Sequence, residues 1–126
     1  MPEVNLPDVL SDVTEAFEMY ERALQANDIE RLNELFWSSS HTLRYGVNEH
    51  LYGHAQIAKF RIDRGPVDQR RELRNVRITT FGRDFAVANT EYIPEGSTRI
   101  GRQSQVWVRT DEGWRIVGAH VSFAAG

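Results

Sequence analysis

The sequence contains no cysteine. That excludes a disulfide framework, a thiol nucleophile, an iron–sulfur cluster and a cysteine-type zinc site. Lysine is nearly absent too. Of the 15 basic residues, Lys59 is the one lysine and the other fourteen are arginines. Schiff-base chemistry is thereby removed from almost every position, while planar guanidinium forks suited to carboxylates are plentiful. No apolar run exceeds a few residues, far short of the roughly 20 that a membrane-spanning helix needs. The acidic start, Met1-Pro2-Glu3-Val4-Asn5, lacks the basic and apolar regions of a secretory signal, so a cytoplasmic location is expected. There is no internal repeat, low-complexity tract, paired-carboxylate motif, glycine-rich phosphate loop or GxSxG elbow.

What is present is ordinary for a globular chain: 126 residues, 40% hydrophobic and 26% charged. The length suits one domain, residues 1–126, with a single core. A net charge of -3 argues against a protein that coats nucleic acid.

Residues 7–26 read as an amphipathic helix, with Pro7 at its first position and Val9, Val13, Ala16, Phe17, Tyr20, Ala23 and Leu24 on one face. Glu15, Glu18, Glu21, Arg22 and Gln25 fall mostly on the other. Asn27 and Glu30 have capping-box spacing ahead of a second helix that turns Ile29, Leu32, Leu35 and Phe36 inward. Two short strands follow, 41–46 and 50–52, around Val47-Asn48-Glu49. A third helix begins at Gly53-His54, carries Ile57 and Phe60, and stops at Gly65-Pro66. Strands are expected near 72–81, 84–93, 98–110 and 114–123. Gly96, Gly101 and Gly113 read as turn or bulge glycines, and Arg70-Arg71-Glu72-Leu73-Arg74 as the solvated start of a strand. The order specifies an α+β, cone-shaped fold. Three N-terminal helices pack on the concave face of a strongly curved, mostly antiparallel sheet, with a pocket between.

A three-residue loop at Asp111-Glu112-Gly113 would pair Val108 with Ile116, Val106 with Gly118 and Ser104 with His120. The His120 face, which also takes Arg102 and Ser122, is assigned to the pocket. A short turn before Phe85 would add Phe85, Val87, Asn89 and Glu91 to it. The Trp107/Val117 face, half apolar, would then meet a second copy of the chain.

Three residues stand out against this frame. Tyr20 lies in an apolar stripe, so its hydroxyl needs a partner. A backbone carbonyl would make it a core tyrosine, and a ligand would make it functional. Arg44, in Thr42-Leu43-Arg44-Tyr45, alternates with Leu43 and Tyr45. If it faces the cone it is a permanent buried cation whose anion is Glu91 or a bound carboxylate, and otherwise it is a surface arginine. His120, inside a patterned strand, is either a core histidine bonded to Ser104 or an acid/base near neutral pH. His50 and His54 have i, i+4 spacing, but the helix start at 54 spoils a shared face, so no metal site is assigned.

Several separated blocks, in order, resemble one family: Val13-Thr14-Glu15-Ala16-Phe17 to Tyr20-Glu21, Leu35-Phe36-Trp37, His41-Thr42-Leu43-Arg44-Tyr45-Gly46, Leu51-Tyr52-Gly53, Ile78-Thr79-Thr80-Phe81-Gly82-Arg83-Asp84, Ala88-Asn89-Thr90-Glu91-Tyr92, Gly101-Arg102-Gln103-Ser104-Gln105, and Gly113-Trp114-Arg115-Ile116-Val117 to Ala119-His120-Val121-Ser122. Together they resemble the AtzH/HpxZ-type proteins of the SnoaL-like, nuclear-transport-factor-2-like superfamily. The resemblance implies a dimer of curved-sheet cones and an association with amidases of bacterial nitrogen catabolism, in cyanuric-acid or oxalurate breakdown. It implies removal of a carboxyl group from an N-carboxylated urea, dicarboxyurea to allophanate, by a helix tyrosine and a hairpin arginine that match Tyr20 and Arg44. His120, Asn89, Ser104, Glu91 and Arg102 would orient the substrate, with no cofactor and no metal. Two other functions compete. One is a carboxylate-binding or amidase-accessory protein without turnover. The other is a ketosteroid-isomerase-type isomerase or dehydratase, for which Glu91 is the sheet carboxylate available as base.

Overall fold

The computed structural model describes residues 1–125. Its elements are α1 (Pro7–Gln25), α2 (Ile29–Leu35), β1 (Leu43–Tyr45), β2 (His50–Tyr52), α3 (His54–Arg64), β3 (Arg71–Phe81), β4 (Phe85–Pro94), β5 (Gly101–Thr110) and β6 (Gly113–Phe123). The six strands form one sheet in the order β2-β1-β6-β5-β4-β3. β1 runs parallel to β6, and the other neighbours are antiparallel. The helices cover one face of this curved sheet, which is the expected α+β cone.

Local chemistry explains most boundaries. Pro7 opens α1, where its missing N–H costs nothing. Gly65 ends α3 at φ 71, a conformation that a side chain would strain, and its N–H bonds the Ile62 carbonyl. The expected Asn27 cap is corrected. Asp28 caps α2, its carboxylate accepting from the Arg31 N–H at 3.1 Å. Asn27 instead takes φ 54, which asparagine tolerates, and donates its side-chain amide to the Val67 carbonyl at 2.6 Å.

The core lies between the helices and one face of the sheet. Val13, Phe17, Leu32 and Ile57 pack there against Ala86, Ala88, Trp107 and Ile116. Trp107 is completely buried. The Trp107 side, assigned above to a second copy, is therefore the side the helices cover, so the placement of Trp107 at an interface is corrected.

The reason is a one-residue irregularity. The β5–β6 turn is shorter than expected, with Thr110 opposite Gly113, so Val108 pairs with Arg115 rather than Ile116. Val117 is then an extra residue on β6, after which Val106–Gly118 and Ser104–His120 pair as anticipated. Strict alternation places Ile116 on the His120 side, and the bulge moves Trp114 and Ile116 to the Trp107 side. These large apolar side chains decide which face the helices take. Gln103, Gln105 and Trp107 thus point into the molecule, and Arg102, Ser104 and His120 point out.

Candidate functional site

A cavity of about 270 Å³ lies between α1, α3, the β1–β2 loop and the helix-covered face of the sheet. Tyr20 comes from the buried stripe of α1 and stands edge-on to Phe36, ring centroids 6.2 Å apart. Among the described residues its hydroxyl has no hydrogen-bond partner, yet it is not sealed from solvent, so it opens onto the cavity that Tyr20 lines. Arg44 sits mid-strand in β1. Its guanidinium reaches Glu49 Oε1 at 3.4 Å and lies 5.9 Å from the Phe60 ring centre. Glu49 Oε2 accepts from the Asn48 N–H at 2.9 Å. Gly46 makes room for this carboxylate, since a Cβ there would stand 2.2 Å from Glu49 Oε1.

On α3, Ile57, Phe60, Arg61 and Arg64 follow i, i+3, i+4, i+7 spacing, the pattern of one helix face. Two cations are thereby carried into the cavity wall. Arg61 is 5% exposed; it donates to Asn33 Oδ1 at 2.8 Å and its Cζ stands 4.7 Å over the Phe36 ring. Burial pushes its pKa down to about 10; Tyr20 acts against that fall, and Arg44 and Arg64 add to it. Arg61 is therefore still charged at neutral pH. Arg64 lies 5.5 Å from the Phe60 ring centre, and burial also lowers its pKa, with Arg44 adding to the fall.

Arg71 closes the cavity from β3. Its Nε and Nη2 donate to the two Glu21 oxygens at 2.7 and 2.6 Å, Nη2 also reaches Gln103 Oε1 at 3.0 Å, and Cζ stands 4.5 Å over Tyr92. Both members of this pair are buried, which corrects the solvated reading of Arg71 and the outward placement of Glu21. Because Gln103 turns its oxygen to Arg71, its amide nitrogen is the free donor. That nitrogen is buried without a partner, and so is Nε of Arg64. Tyr92 lies flat on Gly101, where a Cβ would meet its ring at 2.1 Å; Gly101 is thus a close-approach glycine inside β5, not a turn glycine.

Of the residues singled out from sequence, Tyr20 and Arg44 meet at this cavity. His120, Asn89, Ser104, Glu91 and Arg102 do not. They share one face, as alternation requires, but it is the face turned away from the helices. There Ser104 Oγ donates to Asn89 Oδ1 at 2.6 Å, Asn75 donates to Glu91 at 2.8 Å, Arg102 reaches the Phe123 carbonyl at 3.3 Å, and His120 packs edge-on to Tyr45. Glu91 is consequently not the anion of Arg44; Glu49 is. His54 bonds the Asn33 carbonyl at 2.7 Å while His50 stands against Tyr45, so the two histidines do not converge. The residues that sequence reasoning passed over are Arg61, Arg64, Arg71 and Gln103. The α3 spacing was a usable signal for the first two. Nothing local marked Arg71, whose partner is fifty positions away.

A model of the AtzH-like family matches residues 2–126. Among solved structures, a DUF3225-family protein from Pectobacterium atrosepticum is 55% identical, with 97% of this chain and 95% of that one covered at a TM-score of 0.94. A cystatin-like fold protein from Burkholderia xenovorans is 44% identical over 100% of this chain and 99% of that one, also at 0.94. A nuclear transport factor 2-like superfamily protein from Salmonella enterica is 27% identical over 94% and 93%, at 0.75. No functionally curated protein matches the chain.

Proposed function

This chain belongs to the AtzH-like family, and from that premise we propose that it removes a carboxyl group from a small N-carboxylated urea, dicarboxyurea to allophanate. The observation that carries the reading is the Tyr20 hydroxyl, without a hydrogen-bond partner among the described residues, at a cavity walled by arginines. A phenolic O–H donates a hydrogen bond and can serve as a general acid.

In this reading a substrate carboxylate takes the Arg44 fork, which Glu49 holds only at 3.4 Å. Tyr20 gives its proton to the departing nitrogen. The bond between that nitrogen and the second carboxylate carbon breaks, its electron pair stays on nitrogen, and the carbon leaves as CO2. The phenolate then recovers a proton from water, so each turnover consumes one proton. The Arg61 and Arg64 charges nearby stabilise the phenolate while it exists.

The test is CO2 release and allophanate formation from dicarboxyurea. Tyr20→Phe lowers kcat by about 10²–10⁴-fold with KM little changed, the size expected on removing one positioned acid. Arg44→Ala chiefly raises KM. Normal turnover by both variants sinks the assignment, and binding without turnover by the wild type returns the protein to the carboxylate-binding or amidase-accessory reading. An isomerase needs a free carboxylate base. Glu49 is bonded to Arg44, and the hydrogen bonds from Arg70 hold the Asp68 carboxyl down to about 2, so neither cavity carboxylate suits that role.

A further inference from the structure

We propose that Arg61 and Arg64 form a second carboxylate subsite in the Tyr20/Arg44 cavity, so that its ligand is a short dianion bridging the β1–β2 hairpin and α3. The inference rests on that cavity being the ligand site and adds what the ligand must carry.

The charge balance of the wall points there. Five arginines line the cavity. Three have carboxylates: Arg44 has Glu49, Arg70 has Asp68, and Arg71 has Glu21. Among the described residues Arg61 and Arg64 have none within ion-pair distance. A buried guanidinium without a counter-ion is a costly arrangement, and the Asn33 oxygen and the Phe36 face meet only part of what five N–H donors require. Nε of Arg64 and Nε2 of Gln103 are further donors left without partners at the same wall. Two unmatched cations and these donors together suit a carboxylate, whose oxygens accept from several N–H groups at once.

The spacing sets the length. Arg44 and Arg64 both approach one aromatic ring, Phe60, with Cζ 5.9 and 5.5 Å from its centre. A ligand with one carboxylate on each is therefore only a few atoms long, in keeping with a 270 Å³ cavity. Dicarboxyurea has this form, with three atoms between its carboxyl carbons. Glutarate has the same spacing and no bond to lose.

Calorimetric titration of glutarate and of valerate, the monocarboxylate of equal chain length, into the wild type, Arg61→Gln, Arg61→Lys and Arg64→Gln tests the proposal. The wild type binds glutarate at least about tenfold more tightly than valerate, and the preference shrinks to within about threefold in Arg61→Gln and Arg64→Gln while valerate binding through Arg44 persists. Arg61→Lys, which keeps the charge, retains part of the preference. A purely structural role for Arg61, as a tie to Asn33, would lower stability and leave the preference intact. Far-ultraviolet circular dichroism reports whether each variant is folded, and should Arg61→Gln unfold, Arg64→Gln decides. Equal affinity for the two acids in the wild type, or an unaltered preference in folded Arg64→Gln, overturns the proposal. Turnover is not read, so the outcomes separate. A protein that prefers glutarate but releases no CO2 from dicarboxyurea keeps the dianion subsite and loses the enzymatic reading. One that releases CO2 without preferring glutarate does the reverse.

Discussion

The two faces of the sheet are made from alternate residues of the same strands, and they hold their polar groups on different terms. On the open face Asn89, Ser104, Arg102 and His120 remain in reach of water, and their mutual contacts are replaceable by it. On the covered face Gln103 and Arg71 are shut in with Glu21 and must find partners within the protein or in a ligand. A stripe of polar residues along a strand is therefore ambiguous by itself. Polarity becomes informative where burial makes it expensive, and here that is the side on which the cavity opens.

Paired substitutions at buried and exposed positions can break or sharpen this contrast. The largest difference is expected between the ion pairs. Arg71→Met leaves Glu21 buried and unpaired and should cost about 3–5 kcal/mol. Asp84→Ala, which removes the partner of the exposed Arg109, should cost at most about 1 kcal/mol. Urea unfolding of the two variants reads both, and equal losses would mean that the Arg71–Glu21 pair is effectively solvated. Next come the glycines. Gly101→Ala forces Tyr92 off its seat and should destabilise by about 1–3 kcal/mol, whereas Gly118→Ala, whose Cβ would have nothing within 4 Å, should leave the melting temperature nearly unmoved. The smallest effect is expected from His120→Ala and Ser104→Ala. Both lie outside the cavity, so kcat/KM for dicarboxyurea should stay within about twofold of wild type. A hundredfold loss in either would return function to the open face.

Much of the fold was legible because its signals are local. Pro7, Gly65 and the 3.6-residue stripes of α1 and α2 announce helices, and every later strand was anticipated within a few residues of its observed ends. Half of the candidate site was legible for the same reason: Tyr20 stands in an apolar stripe and Arg44 in an alternating strand. Arg61 and Arg64 were readable in principle, since they continue the stripe begun by Ile57 and Phe60. The face assignment failed at Val117, where one added residue reverses the side to which Trp114 and Ile116 belong. Periodicity counts residues and cannot register a bulge that no local preference demands.

Composition and order alone determined an α+β chain without thiols, nearly without amines, rich in guanidinium groups, and with a tyrosine and an arginine set where chemistry could use them. Which arginines have counter-ions was decided only in three dimensions. Arg71 meets Glu21, Arg44 meets Glu49, and Arg61 and Arg64 meet no carboxylate among the described residues. Counter-ions are chosen by spatial neighbours, and spatial neighbours here are set by which face of the sheet the helices cover.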